Sequence, residues 1–451
     1  MHFIEIMAKN QFNTRFGVIA ATVGSAVGLG NIWRFPYEAG IHGGGAFLIL
    51  NLFFVLLLGI PVMCAEFLIG RHTGCDVYSA FQKFGHGKGW RILGWMGIIA
   101  AILILGFYSV VAGWTVEYIW QSIRGFGGAE NPEQLHQQFV AFSSDAVKPL
   151  FWTLLFLVAN YFILIKGVEK GIEKMSNILL PLLFLILLAF TINSLTLDKA
   201  EEGLAFLFKP DFSAVTPSVI LGAMGQAFFS LSLGLGCLIT YASYFKEDTP
   251  LVKTATISSL LDATVAIMAG VIIFPAVFTF GQEPAAGPQL VFEVLPSIFT
   301  HMSGGLIWST LFFILLFVAS LTSTISMFEI VISFLVRSKG MSRIGAVSLT
   351  AATVVVLSTL CSLSFGPLSD ARIFDFTFFN LFDYLSSNIL LPLGGMLISI
   401  FAGWVIDRKT VRQELLENNR SPVLRGFVKI IIFSLRYIAP AAIALVFIFG
   451  L

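Results

Sequence analysis

The dominant pattern along this chain is a repeated alternation between long apolar runs and short polar connections. Most of the runs exceed 18 residues without an interior charge, so each can cross the roughly 30 Å hydrocarbon core of a bilayer as an α-helix. The alternating ten-residue pattern of a membrane β-barrel is absent. The pattern predicts eleven spans, near residues 15–38, 44–70, 90–122, 148–167, 174–195, 216–244, 255–281, 304–336, 343–365, 376–405 and 430–450.

Composition supports a membrane protein. The 451 residues are 57% hydrophobic and only 12% charged, about half the charged share of a soluble protein. We therefore expect an all-α polytopic protein whose residues 1–451 form a single transmembrane domain in a lipid bilayer. The four cysteines are scattered through apolar runs, which is typical of core residues and not of a disulfide framework. No basic tract indicates a nucleic-acid partner.

Lysine and arginine collect in alternate connections. Basic residues follow the second and eighth spans and lie between the tenth and eleventh, whereas residues 282–303 contain no Lys or Arg. The positive-inside rule then predicts a cytoplasmic N-terminus and an extracytoplasmic C-terminus in the inner (plasma) membrane of the cell. No cleavable signal precedes the first span, which is itself the expected insertion signal.

Two spans are interrupted by glycines. The first contains GSAVGLG at 24–30 and the sixth contains SLSLGLG at 230–236. They lie five spans apart, and this odd offset makes the second copy cross the membrane in the opposite direction. One such motif alone favours ordinary packing of small residues between helices. Two matched breaks favour inverted repeats over 15–195 and 216–405, with 430–450 as an additional span, and a transporter's binding site at the breaks.

Helices that unwind at the bilayer midplane need a ligand or a cavity there. Backbone N–H and C=O groups freed inside the membrane are tolerated only where they bind something or line an aqueous space. Freed carbonyls suit a hard cation, and the N-terminus of a half-helix attracts a carboxylate. The two glycine motifs thus predict a site for a small zwitterion and its ion, with Arg34 in an outer vestibule beyond it.

Four motifs, read in order, resemble one known family. GSAVGLGNIWRFPY is followed by GGGAF, then by QAFFSLSLGLG with ITYASY, and then by ASLTSTIS. This series resembles the neurotransmitter:sodium symporter family over essentially the whole chain, and the end after an eleventh span is similar to its bacterial members. The resemblance implies sodium-coupled symport by alternating access, with no enzymatic activity and with Na⁺ and an amino acid as partners.

Two sodium sites follow from the resemblance, and all their ligands are oxygen atoms. The first would use the carbonyl of Ala26, then Asn31, Ser230 and Asp262, together with the substrate carboxylate. The second would use the carbonyls of Gly24, Val27 and Ala319 with the hydroxyls of Thr322 and Ser323.

The implied substrate pocket favours a hydrophobic or aromatic L-amino acid. Monoamine carriers that are similar have an aspartate where this chain has Gly28, so Gly28 implies a substrate that brings its own carboxylate. Tyr108 would donate its hydroxyl to that carboxylate. Leu235 is smaller than the phenylalanine of a leucine-preferring relative, which leaves room for tyrosine or tryptophan. The implied pocket comprises Ser25, Ala26, Gly28, Leu29, Gly30, Ile104, Tyr108, Phe229, Ser230, Ser232, Leu235, Ser323 and Met327.

Asp262 is an ionisable residue within an otherwise apolar span, where an unpaired charge is costly. Chloride-dependent relatives have asparagine at this position and a serine one turn later, where this chain has Ala266. The resemblance therefore implies that Asp262 supplies the negative charge in place of chloride. We expect no chloride requirement, and counter-transport of a proton that Asp262 carries on the empty return step.

The gates are the last feature that the resemblance implies. Arg34 and Asp383 match the outer gate pair, with Phe229 and Tyr108 beneath them. Family members close the inner side with an arginine and an aspartate, but the matching positions here are the like-charged Lys9 and Arg337. Phe12 also replaces the usual tryptophan, so Tyr241 or Asp248 would have to help. Glu66 would brace the unwound segments.

Two alternatives remain at this point. An amino-acid-gated sodium channel or sensor would keep the same binding site without coupled flux. An intramembrane aspartyl hydrolase would use Asp262 and Asp383 as paired carboxylates, although it leaves both glycine breaks unexplained. The chain lacks the phosphate-binding GxxxxGK[ST] motif, which argues against an ATP-driven pump.

Overall fold

The computed structural model describes residues 11–85, 89–128, 132–281, 291–301, 304–416 and 421–450. These residues form helices joined by turns and irregular segments, and their only β-type pairing is an isolated bridge between Ile373 and Phe376. The spans contain α-helices at Arg15–Ala26, Phe35–Ile41, Gly45–Phe54, Ile60–Thr73, Arg91–Ile123, Lys148–Leu164, Lys174–Ser194, Pro217–Ser230, Cys237–Ala242, Leu251–Thr279, Gly305–Arg337, Arg343–Leu363, Phe378–Asp383, Leu391–Ile400, Pro422–Phe433 and Ala439–Gly450. Shorter α-helices in the connections are Val77–Phe84, Pro132–Ser143, Ala200–Phe208, Val294–His301 and Arg408–Leu416.

Eight unbroken helices among the described residues are long and apolar enough to cross a membrane, or up to ten if each of two bent pairs counts as one span. The first span is such a pair, bent by 49°, and the fourth is the Lys148–Leu164 helix, bent by 73° from the helix before it. The sixth consists of two short helices with an irregular segment between them. Each of the eleven predicted ranges therefore contains helix, and the first and sixth are each divided into two helical parts.

Several predicted boundaries were wrong by a few residues. The fourth span ends at Leu164, the seventh begins at Leu251, and the eleventh begins at Pro422. Proline is favoured at the first helical position, where its missing N–H costs nothing. The eleventh helix therefore starts among the basic residues that the hydropathy pattern assigned to the preceding connection.

The first span breaks near the C-terminal end of its glycine motif. The N–H of Val27 still donates to the carbonyl of Val23 at 2.7 Å, so Gly24 is helical. The α-helix ends at Ala26 and the chain resumes in a π-helical turn over Gly30–Arg34. The break was predicted over 24–30 and lies at 27–29, because the small residues after Gly24 are compatible with helix.

The sixth span breaks where the motif predicts. Its first helix ends at Ser230 and its second begins at Cys237. Gly234 and Gly236 have φ angles of +82° and +78°, which glycine adopts without steric cost. Ser232 has a φ of +52°, an uncommon conformation for a residue with a side chain.

The most buried helices are those that hold the two breaks in place. The helix Gly305–Arg337 packs along Arg91–Ile123 and against Arg15–Ala26. In its 18-residue apolar stretch 83% of the residues are buried, whereas in the corresponding stretch of the helix over Pro422–Phe449 only 29% are buried. Large apolar side chains such as Ile307 and Ile448 are exposed on the outside, as expected where helices face lipid.

Several arginines mark one end of the helix bundle, which we call the basic face; it is defined by Arg15, Arg71 and Arg337. Arg15 lies 3.3 Å from Asp248, and Arg71 binds the Glu414 carboxylate at 2.6 Å and the carbonyl of Thr249 at 2.6 Å. Burial raises the pKa of Glu414, but hydrogen bonds from His72 and Arg71 outweigh it and leave the pKa below its ordinary value. These contacts tie the helix Arg408–Leu416 to the end of the second span.

Candidate functional site

A small cavity lies between the two breaks. Its volume is about 30 Å³, and Phe229 lines both this cavity and an outer one. The residues that line it include all of the predicted pocket except Ser25, Leu29 and Ser230, and add Leu391, which the sequence did not indicate. They are Ala26, Gly28, Gly30, Ile104, Tyr108, Phe229, Ser232, Leu235, Ser323, Met327 and Leu391.

The three predicted pocket residues that do not line the cavity form hydrogen bonds with groups next to it. The Ser25 hydroxyl lies 3.0 Å from both the Cys237 thiol and the Ser326 hydroxyl. The N–H of Leu29 donates to the Tyr108 hydroxyl at 3.1 Å. Ser230 instead belongs to a buried polar cluster.

That cluster joins three of the four predicted ligands of the first sodium site. The Nδ2 of Asn31 donates to the hydroxyl of Ser230 at 2.9 Å and to Oδ1 of Asp262 at 2.8 Å. The Ser230 hydroxyl donates to Oδ2 of Asp262 at 2.6 Å. All three side chains are buried. The fourth ligand, Ala26, lines the adjacent cavity.

The predicted ligands of the second sodium site also meet, between the first and eighth spans. The Ser323 hydroxyl donates to the carbonyl of Val27 at 3.2 Å. The Thr322 hydroxyl donates to the carbonyl of Ala319 at 3.0 Å. A Cβ built on Gly24 would lie 3.3 Å from the Cβ of Thr322, so the first helix passes directly against this hydroxyl pair.

The chemistry of both clusters suits a hard cation. Their polar atoms are carbonyl, hydroxyl, amide and carboxylate oxygens, the donors that such ions prefer. Across the described residues no group of three His, Cys, Asp or Glu side chains is arranged to hold a metal ion. Oxygen atoms of this kind are the ligands that sodium prefers, and Asp262 carries the single full negative charge among the side chains of the first cluster.

Gly28 packs closely against two hydroxyl groups. A Cβ at this position would contact the Oγ of Ser323 and lie 2.9 Å from the hydroxyl of Tyr108. A side chain cannot be added there without displacing these groups, and a ligand that binds beside Gly28 would meet both of them. Both hydroxyl groups can donate to a carboxylate, the Ser323 hydroxyl by turning away from the carbonyl of Val27.

The predicted outer gate pair does not form in this structure. The Nε of Arg34 lies 3.3 Å from a carboxylate oxygen of Glu38, and its guanidinium lies 4.5 Å from the centre of the Phe229 ring. Asp383 accepts instead from the hydroxyl of Ser387 at 2.8 Å. Arg34 and Asp383 do line one outer cavity of about 300 Å³, together with Glu38. Of these two acids, Arg34 contacts Glu38, which lies four residues further along the chain.

Two of the residues named for the inner gate, Arg337 and Phe12, can be located in the structure. Lys9 lies outside the described residues. Arg337 donates to the carbonyl of Gly74 and to the Ser243 hydroxyl, both at 2.9 Å, and it forms no ion pair with an acid within the part of the chain that the structure describes. Phe12 is buried with its ring 5.9 Å from that of Tyr241.

Glu66 contacts the unwound segment of the sixth span. It is fully buried and accepts a hydrogen bond from the N–H of Gly234 at 2.8 Å. A second buried acid, Glu329, was missed, although an acid inside the eighth apolar run is a sequence signal. Its carboxylate binds Arg343 at 2.7 Å and accepts from the Tyr244 hydroxyl at 2.7 Å.

The two acids of the hydrolase alternative share no partner. Asp262 is bound by Asn31 and Ser230, whereas Asp383 is bound by Ser387 and lines the outer cavity. Paired-carboxylate catalysis needs two acids close enough to share a proton. The hydrogen bonds of these two carboxylates place them in separate environments.

Comparisons with known proteins agree with this geometry. The model of the sodium:neurotransmitter symporter family matches residues 9–127 and 134–451. The sodium-dependent transporter YhdH of Bacillus subtilis is 37% identical over 438 residues, covering 97% of this chain and 96% of its own. A sodium-dependent transporter of Haemophilus influenzae is 36% identical over 454 residues, covering 98% of each chain.

A solved structure supports the same conclusion. The crystal structure of MhsT in complex with L-phenylalanine matches with a TM-score of 0.90 at 44% identity, covering 97% of this chain and 99% of that one. The match confirms the predicted fold class, an all-α polytopic membrane protein with interrupted first and sixth helices. The chain therefore belongs to the sodium:neurotransmitter symporter family, as a sodium-dependent membrane transporter and not an enzyme.

Proposed function

We propose that this protein imports a hydrophobic or aromatic L-amino acid together with Na⁺ by alternating access, without a chloride requirement. The observation that carries the proposal is the buried cluster of Asn31, Ser230 and Asp262 directly beside the cavity at Gly28. An ion at the cluster and a carboxylate at Gly28 would touch, so each would raise the affinity for the other by the same factor.

Two sodium ions complete the proposed site. The first would be held by the Ala26 carbonyl, Asn31, Ser230 and Asp262, and the second by the carbonyls of Gly24, Val27 and Ala319 with the hydroxyls of Thr322 and Ser323. The second ion would tie the first span to the eighth and favour the outward-open form. Its loss would let the inner half of the first span swing away.

The apolar lining supports the choice of substrate. The side-chain end of the cavity is formed by Ile104, Leu235, Met327 and Leu391, none of which ionises. The bound ligand named for MhsT is L-phenylalanine, an amino acid of the proposed class. A 30 Å³ cavity is smaller than such a substrate, so binding would require Phe229 to move toward the outer cavity.

The proposed function also includes a domain assignment and a membrane orientation. We assign residues 1–451 to one transporter domain in the plasma membrane, with inverted repeats over 15–195 and 216–405. The basic face would be cytoplasmic and the C-terminus extracytoplasmic. Asp262 would take up a proton on the empty return step, and closure of the outer gate would bring Arg34 from Glu38 to Asp383.

The direct experiment is uptake and counterflow of labelled L-phenylalanine in proteoliposomes. All twenty amino acids serve as competitors, with Na⁺ and with K⁺ in its place. We expect sodium-dependent counterflow that the aromatic and large aliphatic amino acids inhibit. Sodium current without solute movement would favour the amino-acid-gated channel, and competition by charged amino acids alone would exclude the proposed substrate class.

Replacing Thr322 by valine tests the second sodium site. Valine keeps the shape of threonine but removes the hydroxyl oxygen, and losing one oxygen ligand should lower the apparent sodium affinity about tenfold. The measurement is uptake as a function of Na⁺ concentration. Thr264→Val is the matched control, because Thr264 is exposed and its hydroxyl bonds only within its own helix. Equal sodium curves for both variants would remove Thr322 from the site.

Replacing Leu235 by phenylalanine tests the substrate class. The larger ring would fill the side-chain end of the pocket, so phenylalanine, tyrosine and tryptophan should lose at least tenfold in affinity while leucine loses little. The measurement is competition by each amino acid against one labelled substrate. A uniform loss for all four amino acids would mean that Leu235 does not face the substrate side chain.

A further inference from the structure

The inner half of the first span, Arg15–Ala26, must be held closed and then released during transport. The arginine–aspartate pair expected from the family resemblance is missing, since Arg337 stands where the acid is expected and binds Gly74 and Ser243. Arg15 lies 3.3 Å from Asp248 at the start of this helix, but both side chains are exposed, so this ion pair adds little stability. A buried group is better placed to hold the helix at the basic face.

The carboxylate of Glu173 holds it with three hydrogen bonds. Its Oε2 accepts from the N–H of Asn13 at 2.8 Å, and its Oε1 accepts from the N–H of Thr14 at 3.1 Å and from the Thr14 hydroxyl at 2.9 Å. Thr14 is the N-cap of the helix and accepts from the N–H of Gly17 at 2.9 Å. A buried negative charge at a helix N-terminus is also favoured by the helix dipole.

The absence of a side chain at Gly17 leaves room for this carboxylate. A Cβ on Gly17 would collide with the Oε1 of Glu173 and lie 2.6 Å from its Cγ. Glu173 ends a π-helical turn over Val168–Glu173 at the start of the fifth span, and such turns are frequent at functional sites. The fit adds a polar contact between two spans whose helices, Arg15–Ala26 and Lys174–Ser194, also pack against each other.

We propose that Glu173 is the latch of the cytoplasmic gate, doing in this chain what the arginine–aspartate pair does in its relatives. This inference rests on the proposed function. Glu173 is a positioning residue, because it touches neither substrate nor sodium. The inner half of the first span would be released when the three hydrogen bonds to one carboxylate break together, and would close when they form again.

The test uses Cys237 as a reporter of opening. Cys237 is fully buried, and its thiol lies 3.0 Å from the hydroxyl of Ser25 in the last turn of the Arg15–Ala26 helix. Movement of that helix would uncover the thiol. Alkylation of the full-length protein by N-ethylmaleimide, quantified at Cys237 by mass spectrometry without Na⁺, measures how often the gate opens. Cys361, fully buried in the ninth span, reports general loosening of the fold.

Glu173→Gln should speed alkylation of Cys237 about tenfold and leave Cys361 unchanged, because an amide nitrogen cannot accept a hydrogen bond and one charge-assisted bond is lost. Gly17→Ala should have the same effect, since its methyl group displaces the carboxylate. Glu169→Gln is the control: Glu169 is exposed in the same π-helical turn, and its variant should behave as the wild type.

The outcomes separate the latch from the proposed function. Alkylation of Cys237 at the wild-type rate in Glu173→Gln, or equal acceleration in Glu169→Gln, overturns the latch. Equal acceleration at Cys361 also overturns it, because the effect is then a loss of folding. A wild-type protein without sodium-driven phenylalanine uptake overturns the proposed function, while the alkylation comparison still decides whether Glu173 holds the helix.

Discussion

Asp262→Asn is expected to lower sodium-driven uptake at least tenfold in chloride-free buffer and to make the remaining uptake rise with chloride. The carboxylate is the only full negative charge in the cluster with Asn31 and Ser230. Its attraction for a cation in this buried site is several-fold stronger than in water. An amide keeps only one of the two acceptor oxygens and removes the charge, so a chloride ion would be needed to replace the charge.

The measurement is initial uptake of labelled substrate in chloride and in gluconate, for the wild type, Asp262→Asn and the double variant with Ala266→Ser. The double variant should show the larger chloride response, because serine adds an anion ligand one turn later. Asp211→Asn, which alters an exposed acid, serves as the control. Uptake by Asp262→Asn that equals the wild type and ignores chloride would contradict the role given to this carboxylate.

Gly28→Ala is expected to reduce the affinity for L-phenylalanine at least 100-fold. The added methyl group would contact the Oγ of Ser323 and lie 2.9 Å from the Tyr108 hydroxyl, the two groups that we assign to the substrate carboxylate. Losing two hydrogen bonds to a charged group costs at least about 3 kcal/mol, and this corresponds to more than a 100-fold change in affinity.

Equilibrium binding of labelled phenylalanine in detergent measures this effect. Gly225→Ala is the matched control, because Gly225 lies in the first helix of the sixth span and a Cβ there meets no atom within 4 Å. We expect the control to bind as the wild type does. Normal binding by Gly28→Ala would mean that the carboxylate is held elsewhere.

The sequence was most informative where it broke a rule of membrane helices. Glycines in the middle of two apolar runs and Asp262 inside a third have a cost in lipid, and such a cost signals a function. The glycines predicted the two breaks, and the structure brings residues of both breaks together around one cavity. Single apolar residues such as Leu391 carry no such signal, because any core position can hold a leucine.

The gates could not be predicted in the same way. Arg34 has Glu38 four residues away on its own helix and Asp383 across the outer cavity, and the sequence alone does not decide between two available acids. The structure has the local pair. Glu173 reaches the first span across a sequence separation of 159 residues, and only the three-dimensional packing reveals that a carboxylate fits against Gly17.

The most direct test of the account is whether sodium and the amino acid bind to one shared site. Phenylalanine affinity measured at several Na⁺ concentrations, and Na⁺ affinity measured at several phenylalanine concentrations, give two coupling factors that thermodynamics requires to be equal. We predict a factor of at least ten in the wild type and a factor near one in Asp262→Asn. Phenylalanine binding that is equally tight with and without Na⁺ in the wild type would contradict the shared site.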